Sequence, residues 1–84
     1  MMDRREPRFD WGLRVVVRED IFNDGTFPGE PENALLVPAN CVGEIVRVGH
    51  HEEVNIPVYL VEFSNGRVIG CLENEIFPMG ENRP

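Results

Sequence analysis

Lysine and glutamine are absent from the 84-residue chain, and serine and threonine occur once each, as Ser64 and Thr26. All eight basic residues are therefore arginine, and they stand against 15 acidic residues for a net charge of −7. Without lysine there is no amine for a Schiff base, and the sequence places no base beside Ser64. The negative charge argues against nucleic acid and against an anionic membrane surface as partners, because both require clustered positive charge.

Long hydrophobic runs are also missing, and none approaches the ~20 residues that span a membrane. Arg4 and Arg5 near the start of the chain are not followed by an apolar stretch, so we predict no secretory signal. Cys41 and Cys71 are too few for the disulfide framework of a small secreted protein. We therefore expect a cytoplasmic protein with both thiols free.

The residues that bind metals are sparse and poorly spaced. Cys41 and Cys71 lie far apart in the sequence and do not form a CxxC motif. The segment 50–53, His-His-Glu-Glu, is expected to form a solvated turn, where neighbouring side chains point apart and no third ligand is placed. We predict no metal site, no cofactor and no catalytic residues.

Strands are indicated far more strongly than helices. Eight glycines and seven prolines interrupt most windows that could form a helix. Alternating, β-branched runs predict about five short strands, at 13–18, 42–48, 56–63, 67–72 and 75–77. These strands predict a small all-β barrel over residues 8–78, with flexible tails at 1–7 and 79–84.

Asn65-Gly66 predicts a tight hairpin between the third and fourth strands. A two-residue type I′ turn there would place Phe63 opposite Val68. One face of the hairpin would then be core, with Trp11 filling the space above a glycine; that face comprises Tyr59, Val61, Phe63, Val68, Gly70 and Leu72. The opposite face would present an apolar strip of Val58, Leu60, Ile69 and Cys71.

Residues 19–40 form a long connection that we predict to be irregular. Such loops are uncommon in compact domains and are often functional. This one carries Phe22 and Phe27 in an otherwise acidic stretch. Either the loop covers the apolar strip, or both form a surface for a protein partner. In the second case the candidate partner-binding residues are Phe22, Phe27, Val58, Leu60, Ile69 and Cys71.

Four blocks of the sequence together resemble the NifZ family of nitrogen-fixation accessory proteins. They are Pro-Arg-Phe-Asp-Trp-Gly-Leu-Arg-Val at 7–15, Asn-Asp-Gly-Thr-Phe-Pro-Gly at 23–29, the stretch 35–43, and Arg-Val-Ile-Gly-Cys with the residues that follow at 67–76. The resemblance spans residues 7–78. It implies an SH3-like barrel without catalytic activity that binds the immature nitrogenase molybdenum–iron protein during maturation of its P-cluster.

A second resemblance implies a different class of protein. The segment 55–63, Asn-Ile-Pro-Val-Tyr-Leu-Val-Glu-Phe, is similar to a strand of the variable, SH3-like subunit of ferredoxin–thioredoxin reductase. That alternative would make the chain a subunit of an electron-transfer metalloenzyme. The block at 23–29 does not fit that subunit, so we rank this alternative second.

Overall fold

The computed structural model describes residues 6–80, and the predicted tails lie largely outside this range. Within it the chain is all-β, as predicted, and the helical content is limited to a 3-10 turn at Glu73–Glu75. The strands of the described range are β1 Arg14–Val17, β2 Ile21–Phe22, β3 Leu35–Val37, β4 Val42–His51, β5 Ile56–Phe63, β6 Val68–Cys71 and β7 Ile76–Pro78.

Five of these strands form one antiparallel sheet in the order β6-β5-β4-β1-β7. They correspond to the five predicted strands. Strands β2 and β3 pair separately as a short ribbon inside the long connection, so the prediction that residues 19–40 are wholly irregular is wrong. Among the described residues β6 and β7 do not pair with each other, and no closed barrel is formed.

The core lies on one face of the sheet, where alternate side chains of each strand are buried. Burying one side chain the size of valine, leucine or isoleucine stabilises the fold by about 1.5–3 kcal/mol. The buried cluster consists of Val15, Val17, Leu36, Val37, Ile45, Tyr59, Val61, Phe63, Ile69, Cys71 and Ile76.

The hairpin between β5 and β6 turns through three residues and not two. The Phe63 N–H donates to the Arg67 carbonyl and the Gly66 N–H donates to the Phe63 carbonyl, both at 2.8 Å. Gly66 has a φ of 87°. This is a type I turn closed by a glycine bulge, which the same Asn-Gly pair also accommodates. The predicted type I′ turn and its register are therefore wrong.

The extra turn residue moves β6 by one position, so Val61 faces Ile69 and Tyr59 faces Cys71. A shift of one residue exchanges the two faces of a strand. Ile69 and Cys71 are consequently buried, while Val68 and Leu72 are exposed.

Two further expectations are corrected by the sheet. Trp11 is 73% exposed and does not fill a space above Gly70. His50 and His51 end β4, and the turn follows at residues 52–55. The His50 side chain is only 5% exposed, and its Nε2 lies 3.0 Å from Asn55 Oδ1, so it is packed and not solvated.

We predict that Gly43→Ala destabilises the protein by about 1–3 kcal/mol, as overpacking does in other cores. A Cβ at Gly43 would lie 2.5 Å from Val61 Cγ1 and 2.9 Å from the Glu62 carbonyl oxygen. Gly49→Ala on the same strand is the control, because its Cβ would lie 3.8 Å from the nearest atom. The free energies of unfolding come from urea titrations; equal values for the two variants would contradict the packing argument.

Candidate functional site

A groove of about 680 Å³ runs between β6 and the long connection. β6 forms one wall and the long connection forms the other, and most of the lining side chains are aromatic or aliphatic. The lining residues are Ile21, Phe22, Asp24, Thr26, Phe27, Pro28, Leu36, Val68, Ile69, Gly70 and Glu75. Of the six predicted partner-binding residues, three line this groove: Phe22, Phe27 and Ile69.

The loop wall is organised by one buried amide, that of Asn23, which is 2% exposed. Its Nδ2 donates to the carbonyls of Phe27, Glu30 and Pro31 at 2.9–3.2 Å. Its Oδ1 accepts from the N–H groups of Gly25 and Phe27 at 3.0 and 3.1 Å. These bonds satisfy backbone N–H and carbonyl groups of the loop that have no partner in a neighbouring strand.

Asp24 and Thr26 close the next turn of the same loop. The Asp24 Oδ1 accepts from the Thr26 hydroxyl at 2.6 Å and from the Thr26 N–H at 3.1 Å. These bonds favour the ionised form and lower the pKa of Asp24 below its usual value. The groove therefore carries a negative charge at this point at neutral pH.

Arg67 fixes the loop wall to the hairpin wall. Its guanidinium donates to the carbonyls of Leu35 and Leu36 at 3.2 and 3.0 Å, and to Glu30 Oε2 at 3.1 Å. The guanidinium carbon also lies 5.6 Å from the centroid of the Phe27 ring. A planar cation bonded to backbone, carboxylate and ring at once holds the groove at a defined width.

The six predicted partner-binding residues fall in three places. Phe22 and Phe27 line the groove; Phe22 is 56% exposed, while Phe27 is half-buried and packs against the core. Val58 and Leu60 are half-buried on the opposite face of β5. Ile69 reaches the groove from a buried position.

Cys71 was expected on the outer strip and is instead in the core, with none of its surface exposed. Burial raises the pKa of its thiol from 9.0 to about 12, and the nearby charge of Glu75 adds to the shift. At neutral pH the thiol is therefore uncharged, which is the wrong form for a metal ligand or a nucleophile.

Asn23, Arg67 and Glu75 are structural residues of this site that the sequence analysis did not single out. The Asn-Asp-Gly turn signal pointed to the position of Asn23 but not to its burial. Arg67 and Glu75 carried no local signal, because their partners lie far away or across a turn. The Glu75 Oε1 accepts from the Leu72 N–H at 2.7 Å, which ends β6 beside the groove.

The N-terminal segment packs near the same end of β6, where Tyr59 pairs with Cys71. The Tyr59 hydroxyl donates to Glu73 Oε2 at 2.7 Å and accepts from the Phe9 N–H at 3.2 Å. Burial raises the pKa of this phenol; the Phe9 bond opposes the shift and Glu73 adds to it. These contacts hold the segment that precedes β1 against β5 and the 3-10 turn.

Metal-binding geometry is not found within residues 6–80: no three Cys, His, Asp or Glu side chains of this range converge on one point. Cys41 and Cys71 form no disulfide with each other. In the same described range no helix has the length and apolar character to cross a membrane.

Comparison with known proteins defines the class of this small all-β domain. The model of the NifZ domain matches residues 6–78, which include every element of the groove. Protein NifZ of Azotobacter chroococcum is 38% identical over 71 residues, and Protein NifZ of Frankia alni is 36% identical over 70 residues. The match covers 83% and 81% of this chain, but 44% and 36% of those proteins. No solved structure matches the chain.

The chain therefore belongs to the NifZ family, as the sequence resemblance predicted. It spans less than half the length of these curated relatives. The block at 23–29 on which the resemblance rested is the segment that Asn23 folds into the loop wall.

We predict that Asn23→Ala lowers the melting temperature and loosens the loop, because several buried backbone groups lose their partner. Loss of buried hydrogen bonds of this kind costs about 1–3 kcal/mol. Asn74→Ala, an exposed amide in the 3-10 turn, is the control. Limited proteolysis with Glu-C should cleave the Asn23 variant faster at Glu30 or Glu32; unchanged cleavage and melting would contradict the role of Asn23.

We also predict a loss of stability above pH 9. The unfolded Cys71 thiol ionises near 9.0, whereas the folded thiol stays protonated to about 12. The native state then binds more protons, and the free energy of unfolding falls by up to about 1.4 kcal/mol per pH unit in that window. The raised pKa of Tyr59 acts in the same direction. Cys71→Val should show a shallower decline in urea titrations from pH 8 to 11; the same slope as the wild type would contradict the burial of the thiol.

Proposed function

We propose that the chain is a non-catalytic accessory protein that binds the immature nitrogenase molybdenum–iron protein while its P-cluster matures. The observation that carries this proposal is the NifZ family match over residues 6–78, the range that builds the groove. The cluster is cargo of the partner in this proposal and is not held by the chain. The family match favours this function over the subunit of ferredoxin–thioredoxin reductase.

The character of the groove supports a role in binding proteins. Phe22 and Val68 are large apolar side chains that are 56% and 44% exposed on its two walls. Exposed aromatic and aliphatic groups in a concave site are typical anchors of protein interfaces. Cys71, the last residue of β6, has a buried and uncharged thiol, so it is not presented to a partner's cluster.

The SH3-like barrel remains part of the proposal. The meander β4-β5-β6 followed by the return of β7 to pair with β1 supports it. Within the described residues, β6 and β7 are the two edge strands of the main sheet. The proposed partner site lies at the β6 edge.

The test is co-purification of the molybdenum–iron protein from nitrogen-fixing cells with tagged variants of the chain. We expect Phe22→Asp to reduce recovery of the partner at least about tenfold, because it replaces an exposed anchor by a charge. Val54→Asp is the matched control: Val54 is 58% exposed but lies in the β4–β5 turn, away from the groove. Both variants should melt close to the wild type.

Three outcomes are informative. Loss of binding in the Phe22 variant alone supports the groove as the site. Equal loss in both variants would assign the effect to added charge and contradict that site. Absence of the molybdenum–iron protein from the wild-type preparation, including cells arrested before P-cluster maturation, would refute the proposed function.

A further inference from the structure

The outer edge of β6 carries backbone groups that no other strand uses. In an antiparallel ladder, residues alternate between those that exchange hydrogen bonds with the partner and those that point away from it. The hydrogen bond between Phe63 and Arg67 determines which residues of β6 face β5. In steps of two from Arg67, Ile69 and Cys71 are the residues that hydrogen-bond to β5. The N–H and C=O groups of Val68 and Gly70 therefore point outward, and within residues 6–80 they have no hydrogen-bond partner.

This open edge forms one border of the groove. Val68 and Gly70 both line it, and Phe22 and Phe27 line the facing wall. Gly70 has no side chain, and even an added Cβ would meet only Val58 and Leu60, at 3.5 and 3.8 Å. Gly70 thus adds no side chain that would screen the backbone of the edge. Native proteins normally cover or block such an edge, and one left open beside an apolar groove is suited to take an additional strand.

We propose that the β6 edge binds an extended, basic segment of a protein partner as an added β-strand. The inference rests on the proposed function only in taking the partner to be a protein. It adds the form of the ligand: main-chain hydrogen bonds to Val68 and Gly70, with alternate side chains of the segment directed into the groove.

The basic character of the segment follows from the charges around the groove. Asp24 and Glu75 line it, and Glu19 and Asp20 line the adjoining hollow on the far side of Glu75. Arg18 also lines that hollow, but the acidic residues that line the groove and the hollow outnumber it. Arg67 bonds to Glu30 and stacks on Phe27, and Arg18 stacks on Phe77 with its guanidinium carbon 5.0 Å from the ring centroid.

Charge also disfavours a second copy of this chain as the occupant. Two copies that paired their β6 edges would bring the same acidic groups together, and each copy carries a net charge of −7. A basic segment instead gains from the same groups, through faster association and a complementary rim. Its affinity must therefore fall as salt is raised.

The test uses a defined probe, a capped, fluorescently labelled seven-residue peptide of alternating arginine and valine. Two further versions carry N-methyl groups on the valines only or on the arginines only. Residues of one parity present their N–H groups to one edge of a strand, so only one version loses its bonds to β6. We expect one methylated peptide to bind at least about tenfold more weakly than the other by fluorescence anisotropy. Equal affinities would overturn the proposal.

Variants of the chain test the edge from the other side. Gly70→Pro removes the outward N–H without breaking the β5 ladder, and proline is tolerated at such edge positions. Gly70→Ala adds one carbon but keeps the N–H, and is the matched control. We expect Gly70→Pro to weaken the peptide about tenfold and Gly70→Ala to leave it within about twofold. Equal binding by both variants would overturn the proposal, and if Gly70→Pro does not fold, the methylated peptides decide.

The remaining outcomes separate this inference from the proposed function. A peptide with glutamate in place of arginine should not bind, and tighter binding of that peptide would overturn the basic character of the ligand. Dimerisation of the wild type in sedimentation, abolished by Gly70→Pro, would overturn it in favour of a second copy. Asymmetric binding of the methylated peptides without recovery of the molybdenum–iron protein would uphold the edge and refute the proposed function. If Gly70→Pro recovers that protein as well as the wild type does, the proposed function is upheld and the added strand at the β6 edge is refuted.

Discussion

The three-residue turn between β5 and β6 is the constraint on which both the core and the groove depend. Gly66 adopts a φ of 87°, which closes the turn with a bulge and fixes the pairing of the two strands. That pairing directs Ile69 and Cys71 into the core and leaves Val68 and Gly70 to the groove. A slip of one residue would bury a glycine and expose a cysteine and an isoleucine, so the buried area of β6 also opposes it.

The long connection is held in place by polar side chains more than by its own strands, which are only two and three residues long. Asn23 supplies the internal bonds of the loop, and Arg67 joins the loop to the hairpin. Because both anchors are satisfied without a partner, the groove is formed in the free protein. Preorganisation of this kind lowers the cost of ordering on binding, which favours affinity from a small surface.

The strength of each sequence signal determined what could be predicted. Long alternating runs located all five strands of the main sheet. The aromatic residues Phe22 and Phe27 drew attention to the loop, and both line the groove. The dipeptide Asn65-Gly66 serves two kinds of hairpin turn, which differ only in whether Ser64 belongs to the strand. Because the sequence does not distinguish the two turns, the prediction exchanged the two faces of β6. It therefore placed Ile69 and Cys71 on the outer face, whereas both are in the core. Strands β2 and β3 were too short to show a period, and the contacts of Arg67 are non-local.

The block at 23–29, one of the four that carry the family resemblance, mainly builds the groove and contributes little to its exposed border. In the block at 23–29, Asn23 and Asp24 bond to the loop itself, and Phe27 packs against the core and Arg67. The family pattern therefore specifies the shape of the groove. Of the two exposed apolar positions on its border, Val68 belongs to the block at 67–76, whereas Phe22 lies outside all four blocks. The side chain at position 22, and with it the apolar character of the border, can thus change while the four blocks and the scaffold stay intact.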